Sequence, residues 1–338
     1  MGTGSDTTAT ESFADRVRRL EAAELSPLAT PSYPALRDRP ETDSTHRTPF
    51  QRDRDRIVHT KAFRRLKRKT QVFIAPEGDH YRTRLTHTLE ACGIARNVAR
   101  ALRLNEDLTE AIGLGHDLGH PPFGHIGEHV LDERLQQHYG IRFHHNHHSL
   151  RMVERLERDG EGLNLTEQVR DGILRHTGPE APATLEGRIV RVVDRVAYIN
   201  HDIDDAVRAG VIETSDLPAS EIELLGDSGS ERIETLVADL LEHSARAGDI
   251  VQGDEVGEAM VRLRTFMFER VYLGPEAQRE RERIERMLAA LFDHHAEHLP
   301  PPLTAGAADS ERVVDYLAGM TDRFAVRAFT ELSVPQGF

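Results

Sequence analysis

An all-α fold, a helical bundle extended by further helices at its C-terminal end, is the architecture this sequence predicts. Three observations point to it. Apolar residues recur at helical spacing along most of the 338 residues, as at Leu89, Cys92, Ile94, Val98 and Leu102. No alternating apolar and polar run is long enough for a strand of useful length, although short strands near the C-terminal end stay open. A third sign is punctuation: Thr86, Asn105 and Thr166 carry N-cap chemistry ahead of periodic segments.

In chain order, residues 1–40 mix Thr, Ser, Pro and acids around one short helical pattern, ESFADRVRRLEAAEL, and read as a flexible tail with a tethered helix. The chain turns helical from Asp53, with Ile57, Phe63 and Leu66 apolar among bases. Thr86 opens a long helix to about Leu104, and Asn105 caps a second one running towards His116. Further helices are expected at about 125–139, 145–158, 166–176 and 187–209. A stretch rich in Asp, Ser, Glu and Gly over about 211–230 separates this half from helices at about 231–246, 254–272, 275–296 and 308–330. The organisation expected is a tail (1–40), a core (41–210) and a helical C-terminal region (211–338) suited to oligomerisation or regulation.

Composition narrows the classes. No apolar run approaches the roughly 18 residues that span a bilayer, and the N-terminal end lacks the apolar segment of a secretory signal, so a cytoplasmic protein with no membrane partner is expected. The single cysteine, Cys92, excludes an internal disulfide framework and suits helix packing. A net charge of −14 argues against a generic nucleic-acid binder. The charge is uneven, because residues 47–69 hold ten Arg or Lys against two Asp. That block is either a solvated helix face or a cationic wall for polyphosphate, with Lys61, Lys67 and Arg68 as candidates for the outer phosphates.

The densest chemistry lies in HDLGHPPFGHIGEH, residues 116–129. His116 and Asp117 are adjacent and cannot share a face of a regular helix, but at a helix end the backbone can bend both to one ion. Pro121 and Pro122 favour such an end. Beyond them His125 and Glu128 are three apart and share a helix face. Metal ligands followed by an acid/base pair point to a hydrolytic site.

A histidine, a His-Asp pair and a distant aspartate in that order resemble the HD superfamily of metal-dependent phosphohydrolases. The motifs FRRLKRKTQVF, HDLGHPPFGHIGE, FHHNHHSLR and AYINHDIDDA, with a weaker echo in RTFMFERVYLGPE, resemble deoxyguanosine-triphosphate triphosphohydrolase-like enzymes. The resemblance implies metal ligation by His87, His116, Asp117 and Asp194 around one divalent ion (Mn, Mg, Co, Fe, Ni or Zn). It implies His125 and Glu128 as the catalytic acid/base pair. Gln71 and Arg84 would meet the sugar and α-phosphate, His120 and His145 the phosphates, Tyr198 the sugar face and Asp202 the 3′ hydroxyl. The implied reaction cuts a deoxynucleoside triphosphate (dNTP) into deoxynucleoside and intact triphosphate, for nucleotide-pool control. Such relatives form homo-oligomers, some are activated by a second dNTP, and some bind single-stranded nucleic acid. His120 and His148 stand where many relatives carry Asn and Gln.

Three other readings compete. His125-Ile-Gly-Glu128-His129 fits the H-x-x-E-H pattern of one zinc protease class, but leaves His87, His116, Asp117 and Asp194 unexplained. An HD enzyme acting on another nucleotide keeps the site and changes the substrate. A nucleic-acid-binding module would use the 47–69 block, and salt would weaken it steeply.

Overall fold

The computed structural model describes residues 11–71, 82–272 and 275–335. Residues 1–10 of the expected tail, Val72 and Phe73 of the first motif and Leu273 and Gly274 of the last lie outside the described residues. Among those described there are fifteen α-helices and no strand, only an isolated bridge between Thr70 and Thr83. The all-α expectation holds, and none of the described helices is long and apolar enough to cross a membrane.

Five helices frame the centre: α2 (Pro49–Val58), α4 (Arg84–Ala101), α5 (Glu106–Gly115), α8 (Glu167–Arg175) and α9 (Leu185–Arg208). Several of them begin where a side chain caps the first turn. The Asn105 side chain accepts the Leu108 N–H at 3.2 Å, and Thr48 accepts that of Gln51 at 3.1 Å. The long helix α4 starts earlier than expected. Its N-cap is Thr83, while Thr86 sits in the first turn and closes the cap by accepting the Thr83 N–H at 2.9 Å. α5 packs on α2, α4, α8 and α9 and presents fully buried Leu108, Ala111 and Ile112 to all of them. Burying one such Leu or Ile contributes about 2–3 kcal/mol, so the site is mounted on the most heavily buried helix of the bundle.

Two cores result. The larger runs from Phe50 to Val271 and takes in α11 (Gly229–Ala247) and α12 (Asp254–Met267). The smaller joins α6 (Gly124–Tyr139) to α13 (Pro275–Glu297), α14 (Asp309–Ala318) and α15 (Asp322–Ser333), through Leu131, Leu135, Leu288, Phe292 and Leu317.

Some boundaries differ from expectation for physical reasons. The single helix expected over 308–330 is two, because α14 ends at Gly319, buried Met320 turns into the smaller core, and Thr321 caps α15. The linker expected over 211–230 contains α10 (Ala219–Leu225), whose Leu225 is fully buried. Helices expected to run on to about 158 and 272 end in π-type turns at Met152–Leu156 and Phe268–Tyr272, after α7 (His145–Arg151) and α12. Within the expected flexible tail, residues after α1 (Phe13–Glu24) are tied down. Thr30 N–H donates to the Glu186 carboxylate at 2.9 Å, and Arg37 pairs with buried Asp53 at 2.5 Å.

Candidate active site

The C-terminal end of α5 points its last residues into the centre of the molecule. His116 is the C-cap, and the chain then turns through Asp117–Gly119 instead of continuing as helix. Ser149 of α7 clips that turn: its hydroxyl donates to His116 O at 2.7 Å and accepts Gly119 N–H at 2.9 Å. A side chain at 119 has no room, since a Cβ there would sit 2.1 Å from Ser149 N.

His116 Nδ1 donates to Gly113 O at 2.7 Å, which leaves the Nε2 lone pair facing inward. It lies 3.6 Å from Asp194 Oδ1 and 3.5 Å from Asp117 Oδ2, and His87 Nε2 lies 2.9 Å from Asp194 Oδ1. Ligand atoms about 2.0–2.2 Å from one ion stand roughly 2.8–3.6 Å apart in octahedral or tetrahedral arrangements, so these spacings fit a common ion. His116 Nε2 is buried without a hydrogen-bond partner, as a metal-directed lone pair should be. His87, His116 and Asp194 form one set whose ligand atoms all lie within 4.8 Å of one another. Asp117 stands beside it, and its Oδ2 is also held by Arg84 Nη1 at 2.6 Å.

Electrostatics follow from this crowding. Burial pushes the Asp117 carboxyl up, but Arg84 and His116 more than reverse it, and its pKa falls well below the ordinary range. Asp194 behaves likewise, burial being overcome by the close approach of His116 and His87. Burial, then the charges of Arg84 and His145, keeps His120 neutral.

A second group adjoins the first. His125 lies in the first turn of α6, 60% exposed, with Nδ1 3.4 Å from Glu128 Oε2. Glu128 Oε1 accepts the backbone N–H of His145 at 2.9 Å and lies 2.8 Å from its Nδ1. Burial raises the Glu128 pKa, and the hydrogen bonds from His125 and His145 bring it far below the usual value, so it is an anion. The His120 ring stacks on His145 at 3.9 Å, and His125 meets Tyr198 edge-on at 6.0 Å.

These groups open on one cavity of about 280 Å³, lined by Gln71, Arg84, His87, Asp117, His120, His125, His145, Asp194 and Tyr198 among others. Buried Gln71 Oε1 and Arg84 Nη2 have no hydrogen-bond partner in its wall. Unsatisfied polar atoms converging on a cleft mark a place for a polar ligand. Asp202 is buried two turns beyond Asp194 on the same face of α9 and stands outside the lining.

Known proteins resemble this chain in sequence. Residues 84–199 match the HD domain, and residues 250–331 match the phosphohydrolase-associated domain. A deoxyguanosinetriphosphate triphosphohydrolase-like protein from Caldanaerobacter subterraneus subsp. tengcongensis is 51% identical, covering 94% of each chain. Proteins so described from Desulfatibacillum aliphaticivorans (45%, covering 92% of this chain and 95% of that one) and Clostridium perfringens (44%, 95% and 98%) are also similar. The chain belongs to the deoxyguanosinetriphosphate triphosphohydrolase-like family. Like other members built on the HD domain, it is a metal-dependent phosphohydrolase.

Seen as a member of that family, the chain carries its cationic wall elsewhere than the 47–69 block. Arg47, Arg52, Arg54 and Arg56 are taken up in ion pairs with Asp55, Glu41 and Glu110, and Lys69 is buried. Among the described residues none of that block lines the cavity, while Arg191, Arg195 and Arg264 do. Arg195 follows Asp194 directly in sequence, and Arg264 opens the RTFMFERVY segment, so motif position was the available signal. His176, from the end of α8, was also missed. Its Nδ1 donates to Ile173 O at 2.7 Å and its Nε2 sits 3.1 Å from His145 Nε2. The protease pattern finds no support, because exposed His129 belongs to none of the ligand groups found among the described residues.

Proposed function

We propose that this family member hydrolyses a dNTP at the α-phosphorus, releasing deoxynucleoside and intact triphosphate. The observation that carries this is the placement of an ionised carboxylate–imidazole pair next to a fitting metal-ligand set, in one cavity with an arginine wall. The relatives' description as deoxyguanosinetriphosphate triphosphohydrolase-like supports the substrate class and puts dGTP first among those to test.

His87, His116 and Asp194, with Asp117 beside them, would hold one divalent ion. Such an ion lowers the pKa of a bound water and neutralises charge on a phosphoryl oxygen. Arg84, Arg195 and Arg264 offer fixed positive charge to a triphosphate, and none depends on a Gly-rich loop. Glu128, held as an anion, fixes His125 with Nδ1 protonated. His125 Nε2 then gives its proton to the leaving 5′ oxygen as water adds to phosphorus and the P–O5′ bond breaks, and the proton that the water loses replaces it. Tyr198 at the cavity edge packs on the deoxyribose and excludes a 2′ hydroxyl by contact, while Gln71 addresses the sugar. His120 and His145, stacked behind the pair, face the phosphates. The whole is read as a cytoplasmic homo-oligomer acting on nucleotide pools.

The test is a product assay. Purified protein with Mn²⁺ is given each dNTP in turn, and products are resolved by ion-exchange chromatography. Intact triphosphate with deoxynucleoside is the expected result. Orthophosphate or pyrophosphate in its place would mean cleavage at another bond and would overturn the proposal.

A further inference from the structure

We infer that Asp322, the first residue of α15, is a positioning residue that holds the turn presenting His125 and the segment carrying Gln71 in one arrangement. The inference rests on the acid/base role proposed for His125. Asp322 lies nearly two hundred residues beyond that turn and is not among the residues lining the cavity.

Its carboxylate joins two separate segments. Oδ1 accepts the Phe123 N–H at 3.0 Å, and Oδ2 accepts the Thr70 N–H at 2.8 Å together with the Thr70 hydroxyl. The Asp322 N–H donates to Arg68 O at 3.3 Å, closing the contact from the other side. Lys69 reinforces the junction. It is 2% exposed, and its Nζ donates to His120 O at 2.5 Å and to Ala318 O at 2.8 Å. The corner between α14 and α15 is thereby locked to both ends of the 120–124 turn.

The turn needs holding. Phe123 adopts φ +60°, a left-handed conformation that costs a non-glycine residue about 1–2 kcal/mol. Gly124 follows at φ +55°, where a Cβ would lie 3.0 Å from Arg84 Nη2 and 3.1 Å from Gln71 O. The N-cap of α6 is Phe123, which has no side chain able to cap it, and the Asp322 carboxylate takes that residue's N–H instead. His125 is the second residue of α6. A shift of the turn therefore moves His125 relative to Gln71, Arg84 and the metal ligands, which stand on other elements. Displacing an acid/base group by about 1 Å costs roughly a hundredfold in rate.

The plainer reading is that Asp322 only docks α15. Arg151 separates the two, because it docks α14 to α7 through Asp315 at 2.8 Å and Glu311 at 2.7 Å without touching the turn. The experiment compares Asp322→Ala, the near-isosteric Asp322→Asn, Thr70→Val and Arg151→Met. It reads kcat and KM for triphosphate release, Mn²⁺ affinity by calorimetry, melting temperature, and hydrogen–deuterium exchange of peptides spanning 118–130. Asp322→Ala is expected to lower kcat about tenfold to a hundredfold, with KM and Mn²⁺ affinity within about threefold, and to speed exchange over 120–125. Thr70→Val, which removes one of the hydrogen bonds, should have a smaller effect in the same direction. Arg151→Met should cost comparable melting temperature yet keep kcat within about twofold.

Unchanged kcat and exchange in both Asp322 variants, or an equal loss of kcat in Arg151→Met, would overturn the inference. If Asp322→Ala does not fold, the same criteria apply to Asp322→Asn. If the wild-type protein turns over no dNTP, the proposed function fails separately, and the exchange data alone decide whether Asp322 holds the turn.

Discussion

Replacing Glu128 with glutamine keeps the shape of the side chain and removes its charge, at a place where the structure sets the size of the effect. Glu128 Oε1 serves the N–H and Nδ1 of His145 at 2.9 and 2.8 Å, and Oε2 faces His125 Nδ1 at 3.4 Å. A charge-assisted hydrogen bond of this kind contributes about 1.5–3 kcal/mol. Without it His125 loses the preference for its Nδ1 proton and the contact that orients its ring, while general acid–base assistance is worth about 10²–10⁴ in rate. Glu128→Gln is therefore expected to lower kcat by about 10²–10³, or roughly 3–4 kcal/mol of barrier. Metal content should not change, because the ligand set of His87, His116 and Asp194 excludes Glu128. The assay is single-turnover release of triphosphate, followed by ion-exchange chromatography, with bound Mn²⁺ measured on the same samples. Turnover within about threefold of wild type would refute the acid/base reasoning. Loss of metal together with activity would show instead that Glu128 supports the ion.

Three further outcomes are expected. His116→Ala and His87→Ala should each abolish Mn²⁺ binding in a calorimetric titration, whereas His129→Ala should leave it intact; the reverse pattern would restore the protease reading. Gly119→Ala, whose Cβ would lie 2.1 Å from Ser149 N, should destabilise by more than about 2 kcal/mol in urea unfolding, and wild-type stability would mean that the His116 turn yields freely. Burial, aided by the charges of Lys69 and Arg151, pushes the His148 pKa down from 6.5 to about 3. The unfolded chain therefore takes up this proton first, so the stability contributed by neutral His148 is complete above about pH 6.5 and is lost as pH falls towards 3. At pH 5 the loss is about 2 kcal/mol; His148→Asn should remove that part of the pH dependence, and an unchanged slope between pH 7 and 5 would refute it.

Helix existence was legible where period and caps agreed. Asn105 and Thr166 stand at the starts of α5 and α8 as expected, and the prolines at 121 and 122 separate α5 from α6. Boundaries failed where tertiary contacts overrode local pattern. The amphipathic pattern over 308–330 continues through Gly319–Thr321, and only the demand to bury Met320 in the smaller core breaks it. The basic block shows the same limit. Ten like charges in one block left a solvated helix face and a polyphosphate wall both open, and partners elsewhere, Glu41 and Glu110 among them, use several of these charges for internal ion pairs. Cys92 was read correctly from composition, since it is buried in the main core.

What this sequence determined by itself was the fold class, its family and the chemical character of its centre. Helical period and cap residues are local properties, and a short ordered motif such as HDLGHPPFGH keeps its ligand types close together along the chain. Only the tertiary structure decided which side chains face one another. It brought His87, His116 and Asp194 within ligand distance from three helices, set Arg195 and Arg264 in the cavity wall, stacked His120 on His145, and placed Asp322 against the turn before His125. Those meetings depend on how helices rotate and cross when their apolar faces are buried together, and no spacing along the chain encodes that rotation.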